Sequence, residues 1–300
     1  MQSLTVDQNE AICRLLLQAG KTARAAEEQT LAVYEKGLQD YVTNVDRDLD
    51  QCLAKGITRL FPGDSIITEE NSQSRRLFQD SARRLWLIDP IDGTEEFIHR
   101  GDGYAVMLGL LENYTPQAGW IYAPARDCLY WGGPDWGLFW ATGQGWPCQL
   151  EPRPPTASVC PVLLGYRDQQ QFGDAIGQAL TAGKAPSGLP LAYPTAGMIA
   201  CQTSGSFGLK VLAVIQGQAG IYLYLNQRVK LWDTVGPLAL ARAAGLVCCD
   251  LAGQPLQFNP TAIDPYTLAH HQAIVIGWPS YLDSFLPQLQ RALQQADYPG

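Results

Sequence analysis

Trp86-Leu87-Ile88-Asp89-Pro90-Ile91-Asp92-Gly93-Thr94-Glu95-Glu96-Phe97 sets an apolar run against two carboxylates three residues apart. The run Leu85-Trp86-Leu87-Ile88 suits a buried strand, and it delivers the chain to Asp89 and Asp92. The Gly-Thr pair beyond them opens a turn or a helix. Carboxylates and backbone carbonyls are the hard oxygen donors that Mg²⁺ prefers. Gly93 lets a substrate approach the backbone, and N–H groups at a helix start can hold a phosphate. Taken alone, an Asp-Pro-x-Asp-Gly string also caps an ordinary turn.

Three further acidic signals surround this stretch. Glu69-Glu70 follows the strand-like Ser65-Ile66-Ile67-Thr68 directly, where packing gives no reason for a polar pair. Asp46 ends Asp40-Tyr41-Val42-Thr43-Asn44-Val45-Asp46 at a helix start, and Trp232-Asp233-Thr234 opens another helix. Each has a plainer role open to it. Thr43-x-x-Asp46 is also a capping box, and Asp233 also suits an N-cap. Their recurrence in this order, inside an α/β frame, favours a shared site.

Helical spacing predicts helices over about 7–28, with Ile12, Leu15, Leu16, Ala19, Ala23 and Ala26 at that spacing, and over 44–60, with Leu49, Leu53, Ile57 and Leu60 on one face. Strands near 104–111, 118–123, 128–131 and 138–141 are broken by Gly- and Pro-containing turns, which predicts an antiparallel meander. Glu151-Pro152-Arg153-Pro154-Pro155-Thr156 resists both helix and sheet and is the linker candidate. Beyond it strands near 159–165, 219–225, 246–250 and 273–277 alternate with helices near 169–181, 206–217, 233–244 and 280–295. The expectation is an α/β protein with an α+β N-terminal half. Its subdomains are placed at 1–150, carrying most of the acidic site, and 151–300, carrying Asp233.

The chain has 300 residues and a net charge of −8, with 46% hydrophobic and 17% charged residues. That balance describes a globular protein with a sizeable core and argues against a binder of nucleic-acid polymers, which needs surplus Lys and Arg. No run of about 18 apolar residues predicts a membrane span. The first residues lack the basic segment of a secretory signal, so a cytoplasmic location is expected. The eight cysteines form no CxxC pair and no zinc spacing with the three histidines, and are read as buried thiols.

With these motifs in place, the sequence resembles the Mg²⁺-dependent, lithium-sensitive phosphatases that include inositol monophosphatases and 3′(2′),5′-bisphosphate nucleotidases. The resemblance runs from Val42-Thr43-x-x-Asp46 through Glu69-Glu70 and Asp89-Pro-Ile-Asp-Gly-Thr94 to Trp232-Asp233. It implies a layered α-β-α-β-α sandwich with two or three Mg²⁺ ions between its halves. Glu69, Asp89 and the Ile91 carbonyl are the implied ligands of one metal; Asp89, Asp92 and Asp233 are those of a second. Asp46 and Thr94 are implied to orient and deprotonate the attacking water, with a third, weaker metal site at Glu69. The N–H groups of Gly93 and Thr94 are implied to hold the phosphate. The partner is a small phosphorylated metabolite, and a homodimer is compatible with the resemblance.

Signals for the substrate diverge. Glu96-Phe97-Ile98 and Gly205-Ser206-Phe207-Gly208-Leu209-Lys210 resemble the nucleotidase branch, in which the Ser and Lys reach substrate. Glu95 stands where that branch commonly has lysine. Phe97-Ile98-His99-Arg100 and Asp40 before Tyr41-Val42-Thr43 resemble inositol monophosphatases instead, and Ala243-Ala244-Gly245 departs from the usual Ala-Gly-Gly. Lys210 also suits a solvated helix position. The expected activity is hydrolysis of 3′-phosphoadenosine 5′-phosphate. Alternatives are an inositol monophosphatase, a sugar-phosphate (fructose 1,6-bisphosphate) phosphatase, or a phosphate-binding protein without catalysis.

Overall fold

The computed structural model describes residues 4–37, 40–79, 84–143, 145–155, 162–182 and 205–298. Helix α1 (Val6–Glu27) starts at a Thr5/Gln8 capping box, and α2 (Asn44–Leu60) starts at Thr43 and Asp46, which cap it reciprocally. A hairpin of β1 (Val33–Gly37) and β2 (Asp40–Thr43) leads into α2. Then come β3 (Ser65–Thr68), a 3-10 helix (Ser72–Phe78), β4 (Arg84–Asp92) and α3 (Thr94–Ile98). The meander follows as β5 (Ala105–Glu112), β6 (Thr115–Ala123), β7 (Cys128–Gly133), β8 (Gly137–Thr142) and β9 (Cys148–Gln149). These strands form a seven-stranded sheet ordered β3-β4-β5-β6-β7-β8-β9, in which β3 and β4 are parallel and the rest antiparallel.

A second sheet joins β10 (Val162–Leu164), β11 (Ile221–Tyr224), β12 (Val247–Cys249) and β13 (Ile274–Gly277) in the order β10-β11-β13-β12. Its helices are α4 (Tyr166–Ala182), α5 (Phe207–Ile215), α6 (Leu231–Ala243) and α7 (Pro279–Gln295).

Strand alternation creates the layers. In β4, Trp86 and Ile88 join a core with Ile12, Leu16, Leu49 and Leu53 of α1 and α2. Leu85 and Leu87 point the other way, into a core shared with α5 and α6 (Leu209, Val211, Trp232, Leu238). On the second sheet, Tyr222, Ile274 and Ile276 face that same central core. Ile221, Leu223 and Val275 face Phe172 and Ile176 of α4 and Phe285 and Leu289 of α7. The result is the α-β-α-β-α sandwich, two sheets with helices outside and between them.

The sequence expectations hold for α2, β3 and the meander. The β1–β2 hairpin, the 3-10 helix and β9 were not expected. Helix α6 begins two residues earlier than predicted, so Asp233 is its third residue, and the N-cap position belongs to Lys230. Glu151–Pro155 forms neither helix nor strand, as its prolines lead one to expect. Thr156, Cys160, Cys201 and the start of the strand expected near 159–165 lie outside the described residues. The six described cysteines are free thiols, but Cys52 and Cys148 are exposed, against the expectation of burial. Among the described residues no helix is long and apolar enough to cross a membrane.

Helix α6 meets the large sheet backbone to backbone. A Cβ on Gly119 would lie 2.1 Å from the carbonyl oxygen of Gly236, and one on Gly236 would lie 2.6 Å from that of Leu108. Neither neighbour is a flexible side chain that could swing aside. Gly119→Ala is therefore expected to destabilise the protein by about 1–3 kcal/mol through overpacking. Gly63→Ala, where nothing lies within 4 Å, should change stability by less than about 0.5 kcal/mol. Thermal melts of the two variants check this; equal melting temperatures would show that the contact does not set the position of α6.

Candidate active site

Because β3 and β4 run parallel, their C-terminal ends open at the same edge of the sheet, and both ends are acidic: Glu69 follows β3, and Asp89 and Asp92 end β4. In a regular strand, residues three apart face opposite ways. Here Asp89 pairs with Met107 and Asp92 with Ala105, so three steps on β4 oppose two on β5. This bulge at Pro90-Ile91 turns both carboxylates to the face that meets α6. Asp233 comes from the first turn of α6, and ligand oxygens of Asp89, Asp92 and Asp233 all lie within 4.8 Å of one another.

The three carboxylates are held differently. Asp89 is buried and its Oδ1 accepts from Ile91 N at 3.0 Å. Asp233 Oδ2 accepts from Lys230 N at 2.6 Å. Asp92 sits on the N-terminus of α5, accepting from Ser206 Oγ at 2.5 Å, Gly208 N at 2.8 Å and Phe207 N at 3.0 Å. Burial raises the pKa of all three: to about 7 at Asp233 despite the Lys230 charge, and well above the usual range at Asp89, where Glu69, Asp92 and Asp233 add repulsion. The donors to Asp92 oppose its burial without cancelling it. Asp89 and Asp233 each offer an oxygen within 4.8 Å of the other, a spacing that one cation between them would neutralise. At an effective dielectric of about 20, two ionised groups about 5 Å apart repel by about 3 kcal/mol, so all three do not stay ionised without a cation. With Phe207 N on Asp92 Oδ1, a lone pair of that oxygen remains for a ligand bond. The set suits a hard divalent cation.

Asp46 and Thr94 meet across 48 positions of sequence: Thr94 Oγ1 lies 3.2 Å from Asp46 Oδ1 and 3.1 Å from the Ile91 carbonyl. The other carboxylate oxygen, Oδ2, accepts from Thr43 N at 2.9 Å and from the Thr43 hydroxyl. One oxygen thus caps α2 while the other faces Thr94, and the two roles proposed for Asp46 are compatible. Burial pushes its pKa up to about 6, opposed by the Thr43 hydrogen bonds, with Glu69 adding repulsion. Glu69 thereby acts on Asp46, Asp89 and Asp233 alike. Gly93 occupies the left-handed region at φ 96°, and a Cβ there would lie 3.0 Å from Gly103 O and Ser206 N.

Ser206 and Lys210, expected to reach substrate, are both buried at the start of α5. Ser206 is fully buried, caps α5 and donates to Asp92. Lys210 is 4% exposed, its ammonium donating to the carbonyls of Ser206 at 3.0 Å and Gly205 at 3.1 Å. Both support Asp92 from behind, because the turn from Ser206 to Lys210 points the side chain back at its own helix start. Phe97 is likewise a core anchor, packed edge-on against Tyr104 at 5.1 Å. Asp50 was missed, although its spacing of four from Asp46 placed it on the same buried face of α2.

A layered α/β sandwich with three carboxylates converging at the end of its large sheet defines the class of fold and site, and the comparisons narrow it. The sequence model of the inositol monophosphatase family matches residues 7–294. The chain belongs to this family. The 3′(2′),5′-bisphosphate nucleotidase CysQ of Aggregatibacter actinomycetemcomitans is 29% identical over 265 residues, 86% of this chain and 90% of that protein. The Nus factor SuhB of Xylella fastidiosa is 26% identical, with 75% of this chain and 74% of that protein covered. The solved structure of a staphylococcal inositol monophosphatase I complexed with products superposes with a TM-score of 0.71 at 22% identity, covering 95% of this chain and 96% of that one, and shows the shared fold.

The repulsion within the cluster has a measurable sign. A carboxyl group whose folded pKa is raised contributes stability below its unfolded value, and that contribution is lost as pH rises through the folded value. For Asp233 the window runs from 3.8 to about 7. Asp89→Asn is expected to raise the melting temperature of the metal-free protein, more at pH 8 than at pH 5, by about 2–4 °C per kcal/mol relieved. A lower melting temperature at pH 8 would show that the carboxylates do not repel as described.

Proposed function

We propose that the protein is an Mg²⁺-dependent phosphomonoesterase, a 3′(2′),5′-bisphosphate nucleotidase that converts 3′-phosphoadenosine 5′-phosphate to AMP and phosphate. The observation that carries the metal-dependent chemistry is the convergence of carboxylate oxygens from Asp89, Asp92 and Asp233 within 4.8 Å of one another, the first two of them buried. The nucleotidase assignment is supported by CysQ relatives matching more than four-fifths of the chain.

Glu69, Asp89 and the Ile91 carbonyl would hold one Mg²⁺, and Asp89, Asp92 and Asp233 a second; a further, weaker ion at Glu69 is part of the same proposal. Bound Mg²⁺ supplies positive charge against the phosphate and lowers the pKa of water. The rest is done by the chain. Thr94 donates its proton to Asp46 Oδ1, which leaves its oxygen lone pairs to accept from the attacking water, and Asp46 takes the proton through it. The N–H groups of Gly93 and Thr94 hold the phosphate. Ser206 and Lys210 fix Asp92, so they bear on every substrate equally. Substrate choice is tested between this activity and that of an inositol monophosphatase, the activity the family is named for, or a sugar-phosphate phosphatase.

A phosphate-release panel with Mg²⁺ should give a kcat/KM for adenosine 3′,5′-bisphosphate at least about tenfold above those for inositol 1-phosphate and fructose 1,6-bisphosphate, a difference of about 1.4 kcal/mol. A reversed order would replace the nucleotidase assignment and leave the phosphatase standing. Thr94→Ala should lower kcat by about 10²-fold with little change in KM. Full kcat in that variant would return Thr94 and Asp46 to purely structural roles.

A further inference from the structure

Asp50 lies one helical turn beyond Asp46 on α2, buried at 5% exposure. Its carboxylate reaches both neighbours of Glu69: Oδ2 accepts from Thr68 Oγ1 at 2.8 Å, and Oδ1 accepts from Glu70 N at 3.3 Å. Glu69 between them is tied through its own backbone, donating from N to Ile88 O at 3.1 Å and accepting at its carbonyl from Arg75 at 3.4 Å. Ser74 Oγ adds a contact to Thr68 N at 3.2 Å. A carboxylate bridging residues i−1 and i+1 fixes the backbone at residue i, and hence the direction in which its side chain leaves.

We infer that Asp50 is a positioning residue that aims Glu69 into the cation site. The inference rests on the reading of Glu69 as a metal ligand. It gives α2 a second duty. The turn that presents Asp46 to Thr94 also presents Asp50 to the Glu69 segment. The base pair of residues and the metal ligand are thus spaced by one rigid element, with about 6 Å of rise between Asp46 and Asp50. Residues that orient metal ligands typically govern affinity by about 10- to 100-fold, and that is the size of effect assigned to Asp50.

The test is Mn²⁺ binding to the metal-free full chain, measured by electron paramagnetic resonance and calorimetry with no substrate present, for wild type, Asp50→Asn, Glu69→Gln and the double variant. Asp50→Asn should weaken by about tenfold the Mn²⁺ affinity that Glu69→Gln also weakens. The double variant should fall within about twofold of Glu69→Gln alone, because Asp50 acts only through Glu69. Wild-type affinity in Asp50→Asn, or losses that multiply in the double variant, would overturn the inference and make Asp50 a fold residue only. Unchanged affinity in Glu69→Gln would overturn the metal-ligand reading itself, and the inference with it. Should Asp50→Asn fold poorly, Thr68→Val removes one of the two contacts while keeping the side-chain shape. A severalfold weakening there supports the inference, and none overturns it.

Discussion

The backbone contact between α6 and the large sheet is the constraint on which the site depends. Gly109 and Gly119 on adjacent strands and Gly236 on the helix leave no side chain between them, so α6 lies closer to the sheet than an ordinary helix layer could. That closeness is what lets Asp233, one turn earlier on α6, meet Asp89 and Asp92 at the end of β4. Any Cβ at these glycines would push the helix outward and open the carboxylate trio. The central core enforces the same geometry from the sides, with Val235 and Leu238 of α6 buried among residues of both sheets.

Drawing carboxylates together in a buried place is unfavourable, and the fold offsets this locally and incompletely. Asp92 receives the N-terminus of α5 and the nearby charge of Lys210; Asp233 receives the backbone N–H and the charge of Lys230. Asp89 receives one backbone N–H against repulsion from Glu69, Asp92 and Asp233. The imbalance leaves at Asp89 a negative charge that a cation would offset. A site meant only for stability would place apolar side chains at the same positions, since buried charges rarely add net stability.

The parts of this arrangement that were legible in the sequence are those written in local pattern. The apolar run into Asp89, the helix bounded by Thr43 and Phe61, and the alternation of the meander each follow from neighbours in sequence. What was not legible depends on pairing across the sheet or between layers. The bulge that turns Asp92 to the same face as Asp89 is visible only against Met107 and Ala105 of β5. The inward course of Lys210 depends on Tyr222 and on the start of its own helix being buried by the second sheet, where a lone helix would have left it solvated. Asp50 shares its spacing with Asp46, but its partners lie in a segment 18 to 20 positions away.

The same division explains why the family is easier to identify than the substrate. The carboxylates come from α2, the end of β3, the end of β4 and the start of α6, so the site exists only when all the layers are in register. In this chain the glycines, the bulge and the caps are what bring them into register. The residues that looked diagnostic of a substrate branch, Phe97, Ser206 and Lys210, are buried in this framework and serve it. A framework residue constrains every activity the fold supports and therefore discriminates among none of them. Discrimination between substrates on this fold therefore has to be sought in groups outside this buried framework.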